Sequence, residues 1–279
     1  MRLYHYTTID SLAQILKHRT LRFNRLDKVD DLEEGSISPA GVHIGQYVFV
    51  SCWTKDSEES IPLWKMYTAN GRGVRICLDS RMFHCYNNEE SVECGGIRFS
   101  LKGSAYERTL TPFPDFINEE HLVFPVGEHE LDFILRDVQY VDDVAKAFSN
   151  SIFFKQITSN YRTINVSVKD LGLFKHRRWA FEKESRFVLL ILPGKCFNNV
   201  HTFNTELSQW MLDVMSKNIP NSISHYDMKL DEAAFASMDV LLSPNCNASD
   251  EIIVDSLCSR YAPNAIVSNS SLIDCLRLK

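Results

Sequence analysis

Six consecutive apolar residues, Phe187 to Leu192, follow directly on Glu182-Lys183-Glu184-Ser185-Arg186. A run this short, entirely apolar and closed by Pro193-Gly194, reads as a buried strand. It commits the chain to a core built around a sheet and sets two carboxylates and an arginine at the entrance of that sheet. Charges in such a place are costly unless they are paired or used. Taken alone, the segment is explained by a structural Glu–Arg pair that caps the strand, so partners elsewhere in the chain must decide its meaning.

With 279 residues and 44% hydrophobic content, the chain can bury a sizeable core, as one large domain or two small ones. We read one domain over residues 1–279, with an irregular insertion around 85–130 marked by Pro112-Phe113-Pro114 and Phe124-Pro125. The net charge of −6 argues against strong non-specific binding to nucleic acid. The cluster Lys175-His176-Arg177-Arg178 reads as a solvated helix face. Eight cysteines are scattered, several inside apolar runs, with no Cys-x-x-Cys pair. They behave as small core residues and fit a reducing cytoplasm. Met1-Arg2 leads straight into a polar and aromatic strand, unlike a signal peptide, and no apolar run approaches the ~18 residues of a membrane span. The expectation is a soluble cytoplasmic protein without a membrane partner.

Leu3 to Tyr6 reads as a strand, followed by a capping-box-like Thr7-x-x-Asp10 and a helix with Ile9, Leu12, Ile15 and Leu16 on its apolar face. Thr20–Phe23 is extended again, and the acidic stretch Asp27–Glu34 is a solvated loop. Tyr47–Trp53 is rich in aromatic and β-branched residues, as strands are. Ser60 and Pro62 start a short helix over Leu63–Ala69, and Asn70-Gly71-Arg72-Gly73 turns into a strand at Val74–Leu78. Further on, Val138–Val141 is extended and Asp142–Thr158 is a long helix. Leu171–Glu182 is helical before the apolar strand. The last elements are helices at Glu206–Lys217 and Ser249–Tyr261 and strands at Val240–Leu242 and Ala265–Val267. Strands and helices mix without regular alternation, which points to the α+β class.

Several familiar sites are absent: there is no dinucleotide Gly-x-Gly-x-x-Gly after a strand, no phosphate loop, no His-Glu-x-x-His and no Gly-x-Ser-x-Gly. His84, Cys85 and Cys94 match no common zinc spacing, and no metal is expected. Three elements remain. His5 lies on the first strand, in Tyr4-His5-Tyr6-Thr7. Ser51-Cys52-Trp53 ends a strong strand, with Trp64 and Tyr67 on one face of the helix that follows. Glu182, Glu184 and Arg186 open the late strand. For each the ordinary structural explanation is a core histidine, core aromatics and an ion pair.

In order and setting these elements resemble the ADP-ribosyltransferase superfamily, of the diphtheria-toxin and poly(ADP-ribose)-polymerase type. There a first-strand His is followed by a hydroxyl residue, a later helix carries a Tyr, and a Glu opens a late strand. More closely, the chain resembles a bacterial family of unknown function often found near mobile-element and defence genes. Its members share the opening Tyr-His-Tyr-Thr, the Ser-Cys-aromatic strand, the Leu-Trp-x-x-Tyr helix and Glu-x-Glu-x-Arg. The resemblance implies a split antiparallel or mixed sheet flanked by helices, and an enzyme that consumes NAD. It would transfer ADP-ribose to a macromolecular acceptor, protein or nucleic acid, or hydrolyse NAD, as a toxin or defence effector.

Glu184 would then stabilise an oxocarbenium-like state, with Glu182 as alternative or as the group that activates the acceptor. His5 and Thr7 would bind the adenosine ribose, and Ser51 the carboxamide. Tyr67 would stack on the nicotinamide, with Trp53 or Trp64 as a second wall. Arg186 would orient Glu184. Two rival functions stand beside this one: a non-catalytic nucleotide-binding or interaction module on the same fold, and a nucleic-acid hydrolase using Glu182, Glu184 and the basic cluster.

Overall fold

A computed structural model describes residues 1–275 apart from 95, 159, 160, 198, 200 and 274. Among the described residues the main sheet has ten strands. They are β1 (Arg2–Thr7), β2 (Thr20–Arg25), β3 (Val48–Thr54), β4 (Val74–Asp79), β5 (His121–Val123), β6 (Leu135–Asp137), β7 (Glu184–Pro193), β8 (His225–Lys229), β9 (Asp239–Leu242) and β10 (Ile266–Asn269). Their order is β6-β7-β3-β1-β4-β9-β10, with β2 also paired to β3 and to β8, and β5 paired to the far end of β7. Every pairing is antiparallel except that of β9 with β10. Together with the helices this is an α+β arrangement.

The apolar run forms most of β7, and every residue of Glu184–Pro193 is buried. Side chains alternate across a strand, so β7 serves two cores. Phe187, Leu189 and Ile191 face one core with Phe49 and with Leu12, Ile15 and Leu16 of the helix α1 (Ile9–His18). Val188, Leu190 and Leu192 face a second core with Val48, Val50 and with Val214 and Met215 of the helix Phe203–Lys217. Burying six such side chains contributes on the order of 10 kcal/mol. That is enough to offset the cost of carrying Glu184 and Arg186 into the same strand.

β7 runs along one edge of β3 from Glu184 opposite Thr54 to Leu190 opposite Val48. The other edge of β3 is shared. β2 pairs with it at Phe49 and Val50, and β1 meets it at Thr54. Ser51, Cys52 and Trp53 therefore sit in a fork where β1 and β2 part. Gly73 helps hold β1 in place. A Cβ there would lie 2.4 Å from the Thr7 carbonyl oxygen and 2.7 Å from Thr68 Cβ, so only glycine allows this approach.

Three shorter helices frame the fork. α1 is capped by Thr8, whose hydroxyl accepts from the Ser11 amide, one residue later than the expected Thr7. Thr7 thus remains in β1. The helix α2 (Leu32–Gly35) is capped by Asp31, so the acidic stretch is not simply a solvated loop, and its Glu34 is buried. The helix α3 (Ile61–Tyr67) is capped by Ser60 and buries Leu63 and Trp64, which leaves Tyr67 at its end.

Two expected helices are replaced. Between Asp142 and Thr158 the helix covers only Val144–Phe148, after which Ile152–Thr158 pairs as a strand with Tyr161–Val166. Val144 and Phe148, one turn apart, fill a small core, while Ile152 is buried and Phe153 exposed as a strand requires. In the expected helix Leu171–Glu182, Phe174–His176 is a strand parallel to Gln139–Val141 and Arg177–Glu182 is a 3₁₀ helix. The expected insertion consists of short ribbons, Tyr86–Asn87 with Arg108–Thr109 and Val92–Cys94 with Ile97–Phe99, before β5. The side chain of Cys94 lies outside the described ones. Among the described residues no helix is long and apolar enough to cross a membrane.

Candidate functional site

A cavity of about 440 Å³ opens at the fork, bounded by β1, β2, β3, the start of β7, α1, α3 and the turn before β7. His5, Thr7, Ser51, Trp53, Tyr67, Glu182, Glu184 and Arg186 all line it. They reach it from both faces of the sheet. His5 is opposite Ile76, and it shares a face with Leu3 and with Trp53 of the α1-side core. Glu184 is opposite Thr54, which is itself opposite Tyr4, and so lies on the other face with Cys52 and the aromatic residues of α3. The cavity runs through the sheet where β1 and β2 part.

On the first face, His5 Nδ1 is 2.7 Å from the carbonyl oxygen of Cys52, in the gap of the fork. A carbonyl only accepts, so Nδ1 carries the proton and the neutral ring keeps Nε2 as an acceptor. Burial lowers the His5 pKa, against the opposing effect of that bond, so the ring stays neutral near pH 7. The ring lies 5.1 Å from that of Trp53, tilted by 38°. The Trp53 indole N–H donates to Ser51 Oγ at 3.0 Å. Trp53 thus supports His5, across the sheet from Tyr67, and Ser51 is engaged with Trp53.

On the second face stands a chain of alternating charges. Arg186 Nε and Nη2 donate to Glu184 at 2.8 and 2.6 Å, and Arg186 Nη1 donates to Glu34 at 2.5 Å. Lys175 Nζ donates to Glu182 at 2.5 Å and lies 3.3 Å from Glu184 Oε2. The Tyr67 hydroxyl donates to the other oxygen of Glu182 at 2.5 Å. Arg186 orients Glu184, as expected of it, but it also ties in Glu34. Lys175 is a correction: it is buried on the strand Phe174–His176, whereas Arg177 and Arg178 are exposed and pair with Asp142 and Glu33.

Burial alone would raise every carboxyl here, and the cations divide them. Arg186, and after it Lys175, outweigh burial at Glu184 and bring its carboxyl down to about 2. At Glu182, burial and the Glu184 charge outweigh Lys175, and its pKa is raised. Glu34 is raised too, because burial exceeds the pull of Arg186. Burial, and then the Glu182 charge, push the Tyr67 phenol up, so it remains a donor. Within this buried cluster three carboxylates meet two cations, while Arg22, Lys28, Asp30 and Asp227 line the cavity further out.

A depressed carboxyl stabilises the fold above its unfolded pKa and loses that contribution as pH falls through its folded value. For Glu184 the window runs from 4.5 down to about 2 and corresponds to roughly 3 kcal/mol. Glu34 and Glu182, raised in the fold, oppose it in the acid range. Melting temperature in wild type should therefore fall as pH drops through this window, and Glu184→Gln should flatten that fall.

Lys183 places both carboxylates. It has φ 45° and ψ 49°, a left-handed residue between the 3₁₀ helix and β7. Its carbonyl accepts from Thr54 Oγ1 at 2.9 Å, and its exposed ammonium meets Asp56. A non-glycine residue in this conformation costs about 1–2 kcal/mol. Lys183→Gly should thus leave stability unchanged or raised by about 1 kcal/mol, the surface pair being worth less. Lys183→Val should lower it by about 1–3 kcal/mol in denaturant melts.

Trp64 does not line the cavity. Its indole is fully buried, edge-on to Tyr6 at 4.8 Å, and donates to Glu59 at 3.0 Å. It holds α3 in place and is no wall for a ligand. The sequence marks Lys175 only within a solvated basic cluster and Glu34 only as the end of an acidic stretch, and neither as part of the site. The signal for Lys175 was the charge shortfall of Glu-x-Glu-x-Arg beside a nearby lysine. No comparable signal marked Glu34 among its acidic neighbours. In comparisons with protein-family models, curated proteins and solved structures, no match to this chain is found.

Proposed function

We propose that this cavity binds NAD and cleaves its nicotinamide–ribose bond, on a fold of the ADP-ribosyltransferase type. The observation that carries the reading is the convergence of His5, Tyr67, Glu182 and Glu184 on one cavity at the fork of β1 and β2 in the main sheet. Ligand pockets generally span about 300–1,000 Å³, a range that includes this one. The nicotinamide end belongs at Tyr67 and the carboxylates. There an aromatic face and two buried carboxylates suit a cationic ring and the oxocarbenium-like state that follows bond cleavage. Glu184, ionised and fixed by Arg186, supplies a charge that needs no reorganisation during the reaction. The unprotonated Nε2 of His5 accepts from a ribose hydroxyl.

The two-point grip of Arg186 on Glu184 favours a second reading, a nucleotide-binding module without turnover, because it dampens the Glu184 field. Calorimetry tests the shared first step. Wild-type protein should bind NAD, and His5→Ala should weaken binding up to about tenfold, the worth of one good hydrogen bond. Absence of heat with NAD at millimolar concentration would remove both readings.

A further inference from the structure

We infer that the acceptor in this site is water, so that the protein hydrolyses NAD and does not transfer ADP-ribose to a macromolecule. The inference rests on the reading of the cavity as a NAD site and adds to it the identity of the nucleophile.

Access carries the argument. Glu182 is 4% exposed, Glu184 6%, Lys175 5% and Arg186 1%. Trp179 lies over the Lys175 ammonium at 4.5 Å, and the Tyr140 hydroxyl sits 2.8 Å from the Glu184 amide. Tyr67 bridges from α3 to Glu182 and lines the cavity beside it. The carboxylates are thus reached through the cavity, and a dinucleotide would occupy most of its ~440 Å³. A water needs only about 30 Å³ and two or more polar partners, which Glu182 and Tyr67 provide. A side chain of a folded protein, or a base of a nucleic acid, would have to enter the same cavity beside the dinucleotide with its backbone attached.

The chemistry balances with no further reagent. The C1′–N bond breaks and its electron pair goes to the pyridinium nitrogen, which gives neutral nicotinamide. The water oxygen bonds to C1′, and its proton passes to Glu182 and on to solvent. The products are nicotinamide, ADP-ribose and one proton. Glu182 suits the role of base because burial and the Glu184 charge make it more basic than Glu184, which Arg186 grips.

The test follows NAD labelled in its adenylate half, incubated with wild-type protein and a bacterial lysate, with methanol or benzyl alcohol added in parallel. The expected result is free ADP-ribose equal to the nicotinamide released, methyl ADP-ribose with methanol, and at least tenfold less benzyl product. Tyr67→Ala, which opens space beside Glu182, should narrow that alcohol ratio. Label appearing mainly on protein or nucleic acid, or benzyl product matching methyl product, overturns the inference and leaves NAD cleavage standing. Absence of nicotinamide release removes the cleavage reading and the inference together.

Discussion

Glu182→Gln should lower nicotinamide release by about 10²–10⁴-fold, the usual loss when a positioned base is removed. Gln keeps the size of the side chain and can still accept from Tyr67, whose hydroxyl bonds Glu182 at 2.5 Å. Lys175, which bonds Glu182 at 2.5 Å, keeps Glu184 at 3.3 Å as a counter-charge. NAD affinity should therefore change little, and melting temperature should fall far less than in a variant that strips a buried charge of every partner. The pH profile adds a second signature. A base works when deprotonated, and the Glu182 pKa is raised above the ordinary carboxyl value by burial and then by Glu184. Wild-type turnover should climb with pH through that raised pKa and level off above it, and the climb should vanish in Glu182→Gln. Single-turnover measurements across the acid to neutral range decide this. An unchanged profile in the variant would move the base to another group.

The largest effect on stability is expected at Arg186. Its guanidinium is 1% exposed and bonds both Glu34 and Glu184. Arg186→Met leaves those two carboxylates buried without their main counter-charge, at a cost of about 3–5 kcal/mol. That is a large share of the 5–15 kcal/mol that holds a typical domain together. Adding Glu34→Gln and Glu184→Gln to Arg186→Met should return much of the loss, because the uncompensated charge is then gone. Urea melts of the single and triple variants read both steps. If the triple variant is no more stable than the single one, the loss arises from packing around Arg186 and not from charge.

Local patterns in the chain were sufficient for the elements that carry the site, and insufficient for the contacts between them. Phe187–Leu192 is legible as a buried strand because nothing but burial suits six apolar residues in a row. α1 and α3 are legible from apolar spacing and from Ser60 before Pro62. The Asp142–Thr158 segment misleads because no Gly or Pro separates its short helix from the strand Ile152–Thr158. The basic cluster misleads for a different reason. Lys175 is buried and Arg177 exposed two residues later, and the turn that parts them is set by tertiary contacts. Glu34 is beyond local reading, since its partner Arg186 lies 152 residues away. Trp64 shows the converse error. Its spacing from Tyr67 suggests a wall of the site, yet its indole is consumed by Tyr6 and Glu59.

The candidate site thus differs from a simple Glu–Arg cap in its charge count. Glu34, Glu182 and Glu184 meet only Lys175 and Arg186 in the buried cluster, and Tyr67, which bonds Glu182, also lines the cavity. The most direct measurement is nicotinamide release from NAD by purified wild-type protein and by Glu184→Gln, followed by chromatography. Release by wild type and its loss by about 10²-fold or more in the variant is the predicted result. Equal release by both proteins, or none by wild type that binds NAD, would contradict it.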